Sequence, residues 1–169
     1  MCEIGLDRGV TASRKPTPGA IMTDISTFLW FDSAAEDAAR FYTEHIPGAR
    51  ITGITRNPDG SAFIVQVDLA GHALTLMNGG PGHPFTDAAS VQLVVDGQDE
   101  VDRLWAALTA GGKPGPCGWL TDRYGLSWQV VPAELPALMG GEHAAAAGAA
   151  LQTMSKIDIA AIRAAVAAQ

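Results

Sequence analysis

The side chains able to ligate a metal or attack a substrate are few and scattered along this chain. Four histidines are present, His45, His72, His83 and His143, and no two fall at the i,i+4 spacing that puts a pair of imidazoles on one helix face. His45 closes a helical pattern, where a cation favours the helix dipole, so it reads as a cap. His72 follows a turn glycine and His143 sits in an alanine-rich tail. His83 lies in Gly82-His83-Pro84, shortly after Asn78-Gly79-Gly80, where a loop can overhang a cavity. Cys117 has no base beside it in sequence to draw down its pKa, and the flanking Gly115 and Gly118 suit a closely packed structural thiol. Asp99, Glu100 and Asp102 read as a solvated helix face, not as a paired acid and base.

The densest stretch of large side chains is Gly115 to Pro132, which holds Trp119, Tyr124 and Trp128 with the charged Asp122-Arg123 pair. Asp122-Arg123-Tyr124-Gly125 between two apolar runs is turn chemistry, with Gly125 free to take positive φ. Ser127 to Val131 then reads as a strand, closed by Pro132. Such aromatic density suits either a core hairpin or a pocket wall.

Several function classes fall away on composition. The formal net charge is -7 and the pI about 4.9, with no Lys/Arg cluster to neutralise phosphates, so neither nucleic acid nor an anionic membrane surface is an expected partner. No apolar run reaches the roughly 18–20 residues of a membrane helix. Two cysteines, Cys2 and Cys117, form no disulfide framework and read as reduced thiols, which makes the cytoplasm the expected location. Residues 1–23 lack the apolar stretch of a secretory signal and are expected to be a disordered leader, or sequence upstream of a start at Met22.

The elements that must position these residues recur. Ile25 to Phe31 reads as a strand, and Asp32-Ser33-Ala34-Ala35-Glu36 as a capping box in which Ser33 accepts from the Glu36 amide while Glu36 reaches back. A helix follows through Phe41 and Tyr42 and stops before Pro47-Gly48. Strands are predicted over 49–56, 61–69 and 72–77, the first two joined by the turn Asn57-Pro58-Asp59-Gly60. In 61–69, alternation places Phe63, Val65, Val67 and Leu69 on one face. The order then restarts with a strand at Ser90–Val95 and a helix carrying Val101, Leu104, Trp105 and Leu108 at helical spacing. At an offset of 64, Asp32 meets Asp96, Glu36 meets Glu100 and Phe41 meets Trp105. The predicted fold is therefore α+β, a duplicated βαβββ unit over 24–135 forming a curved mixed sheet, with a helical extension over 136–169. In that extension Asp158 is a predicted N-cap for a helix bearing Ile159, Ile162 and Val166 on one stripe, which docks on the sheet or on a second subunit.

These residues resemble the vicinal-oxygen-chelate superfamily of glyoxalases, extradiol dioxygenases and bleomycin-resistance proteins, and more specifically its PhnB-like branch, often labelled demethylubiquinone methyltransferase-like. The likeness rests on Phe28-Leu29-Trp30-Phe31-Asp32 with Glu36 and Phe41-Tyr42, on Leu76-Met77-Asn78-Gly79-Gly80, on Glu100-Val101-Asp102-Arg103-Leu104-Trp105, and on Gly115 to Leu120 continuing through Trp128-Gln129-Val130-Val131-Pro132. It covers about residues 24–135 and extends into Met154 to Ile159. The resemblance implies a cavity built where two units meet, and hence a homodimer. It also implies a divalent cation held by side chains on four strands. Those positions fall by register on Ser26, Ser90, Thr75 or Leu76, and Gln129. Only Gln129 among them can coordinate, and serine hydroxyls with a neutral amide hold Zn²⁺ or Ni²⁺ poorly, so no metal or other cofactor is expected. Nor does a glycine-rich strand-to-helix loop suited to S-adenosylmethionine stand out.

Strand parity turns Phe28, Trp30, Gln92 and Gln129 toward the concave side of the sheet, with Trp119 capping it from the hairpin. These five are the predicted ligand-binding residues, and rings with a few amides suit a flat, moderately polar small molecule. The expected function is non-catalytic binding of such a molecule. The alternatives are a metal-independent lyase or isomerase using Gln129 with a hydroxyl or His83, and the methyltransferase of the branch label.

Overall fold

One strand–helix–hairpin plan is laid down twice in the computed structural model, which describes residues 24–169. The leader expected over 1–23, and with it the alternative start at Met22, lies outside the described residues. The first module comprises β1 (Thr27–Phe31), α1 (Ala35–His45), β2 (Ala49–Arg56), β3 (Ala62–Leu69) and β4 (His72–Asn78). The second comprises β5 (Val91–Val95), α2 (Gln98–Thr109), β6 (Lys113–Pro114), β7 (Trp119–Thr121) and β8 (Ser127–Pro132). Three helices follow, α3 (Leu135–Leu138), α4 (Ala144–Gln152) and α5 (Ile159–Ala167). The α+β class and the duplication are as the sequence predicts. The curved mixed sheet takes the form of two four-stranded sheets, ordered β1-β4-β3-β2 and β5-β8-β7-β6. In each, the first strand runs parallel to the last and the other pairs are antiparallel.

Each sheet buries one face. Leu29, Phe31, Val65, Val67, Leu74 and Leu76 meet Ala35, Ala38 and Ala39 of α1, whose small side chains let the helix lie close. Leu120, Trp128 and Val130 meet Val101, Leu104 and Leu108 of α2. Fully burying each large apolar side chain is worth roughly 1.5–3 kcal/mol, so these faces hold the modules together.

Two local expectations are corrected. Ser33 and Glu36 make no capping box: the helix begins at Ala35, no side chain of its own caps it, and the Ala35 amide donates to Asn78 Oδ1 at 2.8 Å. Glu36 pairs instead with Arg40 and Arg56, at 2.6 and 3.0 Å. The second correction concerns Phe63, which does not share the inward face of Val65, Val67 and Leu69. The β2–β3 ladder shifts register between Thr55 and Arg56, pairing them with Ile64 and Ala62, so Phe63 falls in an irregularity and stands 41% exposed. Ala62 takes the inward place, 6% exposed.

The extension docks on the second module. Asp158 caps α5 as predicted, its Oδ1 accepting from the Ala161 amide at 2.9 Å. Ile157 and Ile162 are fully buried with Ala147 in a second small core. Gln98 of α2 holds this segment at both ends of its amide, donating to Ile157 O at 3.0 Å and accepting from the Ile159 amide at 2.9 Å.

Candidate functional site

The face of each sheet turned away from its helix carries the polar and aromatic side chains. In the second sheet, Gln92 lies opposite Gln129, and Gln129 lies opposite Trp119, so the three form one row across β5, β8 and β7. The amides are linked: Gln92 Nε2 is 3.3 Å from Gln129 Oε1, and Gln129 Nε2 donates to Ser90 Oγ at 2.8 Å. Linking fixes the amides, because each is held by its neighbour and keeps lone pairs or N–H groups free for a further partner. In the first sheet the equivalent row is Phe28, Thr75 and Gln66 across β1, β4 and β3. Phe28 is 56% exposed, and Ser26 Oγ lies 3.4 Å from Thr75 Oγ1.

Of the five predicted residues, the structure brings together Gln92, Gln129 and Trp119. Phe28 and Trp30 belong to the other sheet, and none of the three cavities described below is lined by more than one of the five. Trp30 is engaged already. Its Nε1 donates to Gly80 O at 2.8 Å, and His83 lies against its ring with centroids 4.4 Å apart. A Cβ at Gly79 would come within 2.2 Å of the Trp30 ring, so that turn accepts only glycine. His83 thus overhangs Trp30, lining with it, Asp32, Arg123 and Tyr124 a cavity of about 390 Å³. Trp119 lines another of about 330 Å³ with Lys113, Pro114 and Pro116. The largest, about 550 Å³, lies between the modules and is lined by Thr27, Leu29, His72, Phe85, Val91 and Gln92 among others.

The remaining candidates have structural roles. His72 Nε2 lies 3.0 Å from Thr27 Oγ1, His45 packs against the Phe41 ring, and His143 is beside Glu142. Cys117 Sγ approaches Leu151 O at 3.5 Å.

The four positions where the superfamily seats a cation can be tested against this donor set. Ser26 pairs with Thr75, and Ser90 with Gln129; Leu76 is fully buried in the core, which leaves Thr75 as the open-face residue of β4. Three hydroxyls and an amide, bonded to one another in pairs, do not fit a divalent transition metal, which selects imidazole, thiolate or carboxylate. Among the described residues, no three His, Cys, Asp or Glu side chains converge to offer another seat.

Sequence reasoning missed Asp122. In the sequence this residue reads as part of a charged turn, whereas the structure buries it to 3% exposure. Its Oδ2 accepts from Tyr42 Oη and Trp128 Nε1, both at 2.8 Å, and its Oδ1 from the amides of Tyr124 and Leu126, at 2.8 and 3.1 Å. Burial, and then the Asp122 charge, push the Tyr42 hydroxyl well above the usual tyrosine range. Because Tyr42 is on α1 and Asp122 on the β7–β8 turn, this carboxylate joins the two modules. No local signal marks the contact with α1, since Tyr42 lies 80 residues away. Elsewhere the Arg56 and Arg40 guanidiniums hold the half-buried Glu36 carboxyl down at about 2.

The profile of the family described as 3-demethylubiquinone-9 3-methyltransferase matches residues 23–131. The chain belongs to this PhnB-like family, within the vicinal-oxygen-chelate superfamily. Among solved structures it is similar to a PhnB protein of Bacillus cereus that carries the same methyltransferase description, with 28% identity, a TM-score of 0.60, and 66% of this chain and 100% of that one covered. It is similar also to a Pseudomonas aeruginosa protein, with 21% identity, a TM-score of 0.56, and coverage of 66% and 98%. A third likeness is to a fosfomycin resistance protein of Listeria monocytogenes solved with Mn(II), with 15% identity, a TM-score of 0.50, and coverage of 66% and 93%. At their identities the last two bear on the fold alone. Comparison with curated proteins finds no match. No helix among the described residues is long and apolar enough to cross a membrane.

Proposed function

We propose that the protein binds a flat, moderately polar small molecule on the open face of its second sheet, without a divalent metal and without chemical conversion. The observation that carries this reading is the hydrogen-bonded chain Ser90–Gln129–Gln92 beside Trp119, in which Ser90 and Gln129 stand at two of the four positions that the resemblance assigns to the superfamily's cation. An indole supplies a stacking surface and the two amides supply directed donors and acceptors, the usual make-up of a small-molecule site. A second copy of the chain completes the cavity. In support, Phe28 and Val94 stand 56% and 60% exposed on faces that no helix among the described residues covers.

Calorimetric titration with a flat hydroxyl-bearing probe, 2-naphthol, tests the reading, with mass spectrometry of any co-purified molecule to supply the natural ligand class. Binding is expected to be stoichiometric and unchanged by EDTA. Gln129→Ala should weaken it about tenfold, the worth of one directed hydrogen bond. Loss of binding in EDTA would overturn the metal-free reading. Turnover of the co-purified molecule that disappears in Gln129→Ala would favour a lyase or isomerase. Binding of S-adenosylmethionine would favour the methyltransferase of the family description.

A further inference from the structure

We propose that the C-terminal segment Met154–Ile159 is a positioning element for the ligand face: it clamps the Cys117-Gly118 turn and thereby sets where Trp119 stands. The role of Trp119 in binding rests on the function proposed above; the clamp itself rests on geometry.

Trp119 begins β7 immediately after that turn. The Cys117 amide donates to Met154 O at 2.8 Å and the Gly118 amide to Ser155 O at 2.7 Å, so two consecutive amides are tied to the extension, while the Gly118 carbonyl accepts from the Val130 amide of β8 at 2.9 Å. Within the turn, the Trp119 amide donates to Pro116 O at 2.9 Å and the Gly115 amide to Trp119 O at 2.7 Å, so the turn and Trp119 shift as one piece. Cys117 is held at φ 54°, a left-handed conformation that a side chain rarely adopts and that persists only where the surroundings determine it. Gly118, at φ 86°, has no room for a Cβ, which would lie 2.9 Å from both Ile157 Cδ1 and Val130 O. Ile157, fully buried, is therefore the floor against which the turn is pressed.

The floor is anchored from outside the turn. Gln98 bonds the backbone on either side of Asp158, and Lys156 pairs with Asp102 of α2 at 2.6 Å. Among the described residues the first module carries no counterpart: its β2–β3 connection, Asn57 to Ser61, closes on its own hydrogen bonds. The clamp thus acts on one of the two open faces.

The test is ¹⁹F NMR of protein labelled with 5-fluorotryptophan, its four resonances assigned by single Trp→Phe substitutions. In Ile157→Ala and in Gln98→Ala, the Trp119 resonance should shift or broaden while that of Trp30, on the other sheet, stays in place. Ile157→Val, which keeps the Cγ1 contact, should restore most of the wild-type position. The 2-naphthol dissociation constant should rise about tenfold in Ile157→Ala, as expected for loss of one aromatic contact. Gln98→Ala keeps the buried side chains and decides the matter should Ile157→Ala not fold. A Trp119 resonance unmoved in the folded variants would overturn the proposal, as would equal movement of Trp30, which would mean general loosening. If 2-naphthol fails to bind the wild type, the ligand reading falls while the resonances still decide the clamp.

Discussion

Replacing Asp122 by Asn is the most direct perturbation of the contact between modules. In the native rotamer the Asn side chain keeps Oδ1 for the amides of Tyr124 and Leu126 but turns an NH₂ toward Tyr42 Oη and Trp128 Nε1. The Tyr42 hydroxyl can rotate and accept. The indole N–H has no lone pair, so one buried donor faces another, at about 1–3 kcal/mol. Loss of the negative charge also weakens the two remaining bonds, since charge-assisted hydrogen bonds are roughly twice as strong as neutral ones. The total is about 3 kcal/mol, a large part of the roughly 5–15 kcal/mol that holds a domain folded. Urea unfolding followed by tryptophan fluorescence and by circular dichroism should show the midpoint falling by about 1.5 M at an m-value near 2 kcal/mol/M. Asp87→Asn, on an exposed connection, should stay within about 0.5 kcal/mol of wild type. An Asp122→Asn midpoint indistinguishable from wild type would refute the claim that this carboxylate holds the modules together.

Two further outcomes follow from the same geometry. Asn78→Ala removes both the acceptor for the Ala35 amide and the donor to Ala62 O, and should cost about 1–2 kcal/mol in the urea assay, whereas Ser33→Ala should cost almost nothing. Tyr42 is protonated in the folded state and its hydroxyl titrates above the ordinary value of 10.0, so its contribution to stability is complete below pH 10. Above that pH the unfolded chain loses the proton first and stability falls by up to about 1.4 kcal/mol per pH unit. Tyr42→Phe should flatten the alkaline limb of a stability-against-pH curve measured from pH 8 to 11.

The duplication was legible because its signal is local and repeated. β1 at Thr27–Phe31 and β5 at Val91–Val95 stand at the predicted offset of 64, and the β2 bounds coincide with the strand predicted over 49–56 before the Asn57-Pro58 turn. Parity also placed Gln92 and Gln129 on one face, as their direct pairing requires. What escaped was decided by partners distant in sequence. Ser33 and Glu36 have the spacing of a capping box, yet Asn78 reaches the helix start from the end of β4 and two arginines claim Glu36. Phe63 follows the alternation of its strand, yet a ladder irregularity set by the partner strand turns it out. Asp122 reads as turn chemistry, and it does close that turn, but its second oxygen serves α1. That five candidate residues divide between two sheets was likewise invisible, since strand parity assigns a face and not which sheet faces which.

The two modules diverge where divergence is cheap. On the helix side, Leu29 and Leu93 hold equivalent places, as do Phe31 and Val95, so the packed face stays apolar in both modules even where bulk differs. On the open side the equivalents differ in kind: Phe28 answers to Gln92, Thr75 to Gln129 and Gln66 to Trp119. Each row thus carries an aromatic ring at one end and an amide at the other, with the ends exchanged between modules. Faced against each other across a two-fold axis, a first-sheet row and a second-sheet row would set rings and amides around one ligand from both sides. Within the described residues, α1 and the β7–β8 turn meet instead through Tyr42, Asp122 and Trp128. On the function proposed above, a second copy of the chain would supply the facing row, and the exchange of ring for amide is the feature it would complement.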